Sequence, residues 1–231
     1  LRAVAEGNRV VVVVSAMGRD GQPYATDSLY RLVGGENSLL PPREMDLLLS
    51  CGEVISASVL AQELVAEGCQ VRVLTGGQAG IVTDSRHGDA RIHHVYPERI
   101  LQELDQGRLV IVAGFQGMTV DGEVTTLGRG GSDTTATALG VALKADYVDI
   151  FTDVDGVMTA DPKLVEDAKL LPSVTYTELA NLAHQGAKVM HPRSVALAMQ
   201  GNLKIRIRST HRTDVGTVIT PALGEVSPFQ D

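Results

Sequence analysis

The run Thr125-Thr126-Leu127-Gly128-Arg129-Gly130-Gly131-Ser132-Asp133-Thr134-Thr135-Ala136-Thr137-Ala138 opens as a loop and closes as a helix. Gly128, Gly130 and Gly131 leave the backbone free to adopt positive φ and to approach a ligand with no Cβ in the way. Ser132 or Asp133 then falls at the N-cap, and Thr134 to Ala145 reads as helix. A glycine turn feeding a helix N-terminus offers unpaired N–H groups and the positive end of the dipole, both favourable to an anion. Arg129 adds a cation and Asp133 a carboxylate. The combination suits a phosphate or carboxylate ligand with a charged group acting on it. The plain alternative is a solvated turn with an ordinary cap. The run is neither a Walker A loop nor the dinucleotide motif Gly-x-Gly-x-x-Gly, because the lysine of the first and the third glycine of the second are absent.

Strands flank this run on both sides. Arg9 to Val14, a β-branched run, and Leu109 to Ala113 read as strands of the kind that parallel sheets bury on both faces, and Gln70 to Leu74 and Tyr147 to Phe151 read as further strands. His93 to Tyr96, Leu203 to Arg208 and Thr217 to Thr220 add shorter strands, and Asp121-Gly122 marks a hairpin. Helices are expected from Ser28, capped by Thr26-Asp27, and over 43–67, 97–106, 177–185 and 192–201. Strands alternating with helices imply an α/β protein, a three-layer α/β/α sandwich with a mainly parallel central sheet and right-handed crossovers. Four glycine-containing turns follow strands: Ser15-Ala16-Met17-Gly18, Thr75 to Gly80, Gly114 to Gly117, and Thr152 to Val157. Ligands of open α/β sheets bind at carboxyl ends of strands, so these turns are expected to converge on one cleft.

Glu53 is the odd residue of the long helix. Met45, Leu48, Leu49, Ile55, Val59, Leu60 and Leu64 recur at helical spacing and form its expected core stripe. Glu53 instead has Ser50, Gly52, Ser56 and Ala57 for neighbours. A solvated face is the ordinary reading. A glutamate over small residues would also leave room for a ligand ammonium group. Lys188, after a glycine at a helix break, is either a phosphate contact or a solvated lysine. Asp153-Val154-Asp155-Gly156 lacks the further ligands of a calcium loop, and His93 and His94 point to opposite strand faces and cannot share a metal.

Composition narrows the class. The chain has 231 residues, 44% of them hydrophobic and 3% aromatic, with no Trp, so its core is aliphatic. A formal net charge of −8 and the lack of a basic run argue against nucleic-acid binding. Two cysteines, Cys51 and Cys69, are too few for a disulfide framework, and a reduced, cytoplasmic setting is the simplest expectation. No apolar run reaches the ~20 residues of a membrane span. The opening Leu1-Arg2-Ala3-Val4 reads as the end of a helix begun upstream.

The motifs together resemble aspartate kinases, within the amino-acid kinase superfamily. The likeness rests on Gly128-Arg129-Gly130-Gly131-Ser132-Asp133-Thr134-Thr135-Ala136, on Phe151-Thr152-Asp153-Val154-Asp155-Gly156-Val157 with Ala160-Asp161-Pro162-Lys163, on Leu48-Leu49-Ser50-Cys51-Gly52-Glu53, on Ser15-Ala16-Met17-Gly18 and on Gly186-Ala187-Lys188-Val189. It covers residues 1–220 as one catalytic domain, with 221–231 a tail or linker, and is strongest toward bacterial diaminopimelate-sensitive members. It implies ATP- and Mg²⁺-dependent phosphorylation of the L-aspartate β-carboxylate, the first step toward diaminopimelate, lysine, threonine and methionine. By likeness Ser15, Thr26, Glu53, Arg129 and Ser132 bind aspartate, and Thr152, Asp153, Met158, Lys163 and Lys188 bind nucleotide. Asp133, Arg129 and Lys188 act on the reacting groups, and no residue is assigned as a metal ligand. It also implies an upstream Lys-Phe-Gly-Gly-Thr-Ser-Val segment, downstream regulatory ACT domains and a homo-oligomer, with no nucleic-acid or membrane partner. The alternatives are a kinase of the same superfamily for another small carboxylate or for UMP, which has no ammonium to match Glu53, or a catalytically silent ligand-binding fragment.

Overall fold

The computed structural model describes residues 1–160, 165, 167–184, 190–212 and 216–221, which divide into two units at Leu139/Gly140. The first contains α1 (Arg2–Ala5), β1 (Val11–Val14), α2 (Thr26–Leu32), α3 (Pro42–Ala66), β2 (Val71–Leu74), β3 (Ile81–Thr83), β4 (Ile92–Val95), α4 (Glu98–Asp105), β5 (Leu109–Ala113), β6 (Gln116–Met118) and β7 (Val124–Thr126). Helix α5 (Gly131–Ala142) begins in it. The second contains β8 (Val148–Thr152), β9 (Ser173–Thr175), α6 (Tyr176–His184), α7 (Pro192–Gln200), β10 (Ile205–Ser209) and β11 (Thr217–Thr220).

The α/β reading holds. Among the described residues the first unit has a parallel sheet ordered β1-β5-β2 and a mixed sheet ordered β4-β3-β6-β7. Strand β5 is central and every residue of it is buried, which is why its sequence is an unbroken Leu-Val-Ile-Val-Ala. Strand β1, expected to be buried on both faces, is half-buried throughout, because within this sheet it has β5 on one side only. In the second unit β8 and β10 run parallel, β10 and β11 antiparallel, and β11 and β9 parallel. There Asp149 on β8 accepts from Arg206 on β10 at 2.8 Å, and the same guanidinium lies 3.5 Å from the Tyr147 ring centroid.

Helix α3 departs from the expected stripe. Its buried side chains are Asp46, Ser50, Glu53, Ser56 and Ala57, whereas Val59 is 45% exposed. Asp46, Ser50, Glu53 and Ala57 fall at i, i+4, i+7 and i+11, so the buried stripe is mainly polar. Only Leu60, Ala61 and Leu64, near the C-terminal end, pack on the aliphatic cluster of Ala57, Leu109 and Ile111. By length and composition alone α3 is long and apolar enough to cross a bilayer, although charged residues interrupt it and no apolar run in it reaches ~20 residues. Its buried carboxylates and its packing against β1, β2, β5 and β7 make it the core helix of the first unit instead.

Candidate active site

A cavity of about 400 Å³ opens on the first unit. Three walls meet there. One is the turn after β1, with Ser15 and Ala16; a second is α2 and α3, with Thr26 and Glu53; the third runs from Phe115 after β5 to the glycine turn and α5, with Gly128, Gly131, Ser132 and Asp133. Two of the four glycine turns expected to converge do so. The turn Thr75 to Gly80 is not among the lining residues: a Cβ on Gly76 would lie 2.0 Å from the Gln116 carbonyl oxygen, so this turn packs against β6. The turn after β8 belongs to the second unit.

Close approach of α3 to the β1 turn sets the position of Glu53. A Cβ on Gly52 would sit 2.9 Å from the Ala16 Cβ and 3.2 Å from the Tyr24 carbonyl oxygen, so glycine alone lets the helix come this near. The Ala16 N–H then donates to Glu53 Oε1 at 3.0 Å. Glu53 is 3% exposed, and its Oε2 is buried with no hydrogen-bond partner. Burial pushes its carboxyl up to about 7, against the lowering effect of the Ala16 amide. The solvated-face reading of Glu53 is thereby overturned. Buried charged groups are ordinarily paired, and this carboxyl leaves an open acceptor in the cavity wall.

The glycine turn is fixed by its own backbone. Gly128 and Gly130 have φ of 72° and 67°, the Gly131 N–H donates to the Gly128 carbonyl, and the Thr134 N–H and hydroxyl both donate to the Gly130 carbonyl. Helix α5 starts at Gly131, so Ser132 and Asp133 lie in its first turn rather than at the cap position. First-turn amides have no intrahelical partner, which leaves the positive helix end at this wall. Arg129 is exposed, is not among the lining residues, and makes no hydrogen bond or ion pair among the described residues. At the other wall, α2 begins at Thr26 with Ala25 as its cap residue, so neither Thr26 nor Asp27 caps it.

Phe115 lines the cavity as part of the expected Gly114 to Gly117 turn, but its own role was not singled out in the sequence. Its φ is 69°, a left-handed conformation that costs a bulky residue of order 1–3 kcal/mol and persists where surroundings over-determine it. Here the Phe115 N–H donates to Thr135 Oγ1 at 3.1 Å, its carbonyl accepts the Leu127 N–H at 2.8 Å, and a Cβ on Gly131 would lie 2.7 Å from its ring. Nothing in the residue identity Phe signals positive φ.

The expected nucleotide residues lie elsewhere in the chain. Thr152 ends β8, and Asp153 and Met158 follow it in the second unit, where Thr152 Oγ1 donates to Asp153 Oδ1 at 3.3 Å. Lys163 and Lys188 lie outside the described residues. His93 and His94 are both exposed, and Cys51 and Cys69 are free thiols.

Residues 1–209 match the model of the amino acid kinase family. The chain is 58% identical over 218 residues to aspartokinase 1 of Bacillus subtilis, a match spanning 94% of this chain and 54% of that one. Among solved structures, aspartate kinase from Synechocystis superposes with a TM-score of 0.79 at 40% identity, over 96% of this chain and 36% of that one. Aspartokinase III of E. coli, solved in complex with aspartate and ADP, superposes with a TM-score of 0.75 at 30% identity, over 87% and 45%. The chain spans about half the length of the curated relatives it matches. With the α/β architecture, the glycine turn at α5 and a family match over most of its length, this chain belongs to the amino acid kinase family.

Proposed function

We propose that this chain forms the catalytic part of an aspartate kinase, which transfers the γ-phosphoryl of ATP to the β-carboxylate of L-aspartate. The observation that carries the reading is Glu53: a buried carboxylate with an unpartnered oxygen, in a cavity whose other wall is a glycine turn and a helix N-terminus. That arrangement suits a ligand carrying both an ammonium and an acid group. In this reading the substrate ammonium pairs with Glu53. Ser15, Thr26 and Ser132 orient the substrate by hydrogen bonds, and Arg129 turns inward to grip a carboxylate in two-point fashion. A β-carboxylate oxygen forms the new bond to the γ-phosphorus as ADP leaves. Such a transfer needs positioning and charge neutralisation more than a covalent group from the protein.

ATP falls to Thr152, Asp153, Met158, Lys163 and Lys188, with Lys188 offsetting phosphoryl charge. No cluster of three or more metal-ligating side chains exists among the described residues. Mg²⁺ held mainly by substrate phosphates, with one or two carboxylates such as Asp133, requires none. In the intact protein we place this chain beside regulatory ACT domains, in a cytoplasmic homo-oligomer.

Calorimetric titration of the chain with L-aspartate, N-acetyl-L-glutamate and UMP, each alone, tests the substrate class. L-Aspartate should bind, and the two ligands without an ammonium should not. Binding of N-acetyl-L-glutamate or UMP without binding of L-aspartate would transfer the site to another member of the family. Arg129 gives a separate test. Because it has no partner among the described residues, Arg129→Lys should leave the melting temperature near that of the parent. Loss of the planar fork should still weaken L-aspartate binding, about tenfold for one charge-assisted contact. A lowered melting temperature with unchanged affinity would make Arg129 structural.

A further inference from the structure

We infer that Asp46 is a positioning residue which holds the glycine turn at the cavity wall through Thr126 and Gly88; its effect on substrate rests on the aspartate-kinase reading above. Asp46 is 1% exposed and is not among the residues lining the cavity. Its carboxylate accepts from Thr126 Oγ1 at 2.6 Å, from the Thr126 N–H at 3.0 Å, from the Gly88 N–H at 3.0 Å and 3.1 Å, and from His87 Nδ1 at 2.8 Å. A carboxylate in this setting only accepts, so His87 carries its proton on Nδ1. Every donor here is held by one charge on α3.

Those donors bracket the start of the glycine turn. Thr126 is the last residue of β7, and its carbonyl accepts the Ala90 N–H at 2.9 Å. Gly128 follows two residues later, pressed against the segment that Asp46 holds: a Cβ on it would lie 3.1 Å from the Gly88 carbonyl oxygen and 2.9 Å from Asp89 Oδ1. Asp46 therefore fixes the strand end that delivers Gly128 and the surface Gly128 rests on. The turn's three glycines bring no side chains, so beside Asp46 it is tied by backbone groups, the Leu127 N–H to the Phe115 carbonyl, the Gly131 N–H to the Gly128 carbonyl and Thr134 to the Gly130 carbonyl. Glu53 lies seven residues along the same helix, so α3 places the cation receptor with one carboxylate and the anion-binding turn with another.

Asp46→Asn tests this. Asn keeps the shape but turns an NH₂ group toward buried N–H donors. Hydrogen exchange of the amides of residues 127–131 should speed up in the variant, while amides of β5 exchange as in the parent. L-Aspartate affinity, measured by calorimetry, should fall about tenfold or more, the scale of effect that small misplacements of binding groups produce. Should Asp46→Asn not fold, Thr126→Val removes one of its bonds and should show the same local exchange and a smaller loss of affinity, with Thr126→Ser restoring both. Exchange at residues 127–131 equal to that of the parent in a folded variant would overturn the inference. Uniformly faster exchange across the first unit would do the same, because the role would then be structural. If the parent itself does not bind L-aspartate, the substrate reading fails, and the exchange comparison still decides the role of Asp46.

Discussion

Glu53→Gln is expected to weaken L-aspartate binding by about 10- to 100-fold, and also to stabilise the ligand-free protein above pH 7. Glutamine keeps the acceptor for the Ala16 N–H but cannot pair with an ammonium. Losing a hydrogen bond between charged groups costs about 1.5–3 kcal/mol. The stability effect follows from the carboxyl, whose pKa rises from 4.5 to about 7 on folding because burial disfavours the anion. Below pH 4.5 the carboxyl is protonated in both states and exacts no penalty. Between pH 4.5 and 7 the unfolded chain releases a proton that the folded chain retains, so stability falls as pH rises. Above pH 7 the folded protein bears the whole penalty of about 3 kcal/mol. Glutamine has no such term, so the difference between variant and parent should be near zero at pH 4.5 and largest at pH 8. Affinity should show the mirror image. The parent binds L-aspartate through ionised Glu53, so its affinity should fall up to about tenfold for each pH unit below 7, and the weak binding of Glu53→Gln should change little over that range. Chemical denaturation and calorimetry at pH 5, 6, 7 and 8 measure both quantities. Equal affinity in the two proteins, or no gain in stability at pH 8, would remove Glu53 from the site.

Gly76→Ala should be among the most destabilising single-methyl changes in the first unit, costing about 3 kcal/mol or more. The added Cβ would sit 2.0 Å from the Gln116 carbonyl oxygen and 2.6 Å from its carbon. Backbone cannot rotate away as a side chain can, so β6 or the turn must shift, at the upper end of overpacking costs. Gly68→Ala provides the contrast. Gly68 has φ of 84° but nothing within 4 Å of where its Cβ would stand, so its cost is the left-handed strain alone, about 1–2 kcal/mol. Urea denaturation at pH 7 ranks the two. Gly68→Ala proving the more damaging would contradict the packing of the Thr75–Gly80 turn against β6.

The strands that were legible are those whose burial demands a continuous aliphatic run. Leu109 to Ala113 is the clearest, because a strand with neighbours on both sides and covered faces tolerates nothing else. The hairpin at Asp121-Gly122 was equally plain, and Gly122 has the φ of 89° such a turn requires. Strands β3 and β9, three residues each, were not found, since so short a run shows no periodicity. The α3 stripe misled for a different reason. Periodicity arguments look for apolar residues, and here the buried face is Asp46, Ser50, Glu53 and Ser56, of which Asp46 and Glu53 Oε1 accept hydrogen bonds from groups remote in sequence. Of the candidate site, Glu53 was noticed through its small neighbours, and the glycine turn through its composition. Asp46 was invisible because its donors lie 41 to 80 residues away, and Phe115, though inside an expected turn, gave no sign of its left-handed backbone.

The most direct measurement is product identification with the intact protein. It is incubated with ATP, Mg²⁺ and L-aspartate in the presence of hydroxylamine, which converts an acyl phosphate to a hydroxamate that mass spectrometry can locate on the carbon chain. The expected product is the β-hydroxamate of L-aspartate, formed with ADP in equal amounts, and lost when either L-aspartate or ATP is omitted. ADP release without β-hydroxamate, or phosphoryl transfer to N-acetyl-L-glutamate or UMP in place of L-aspartate, would contradict the reading of this cavity as an aspartate site.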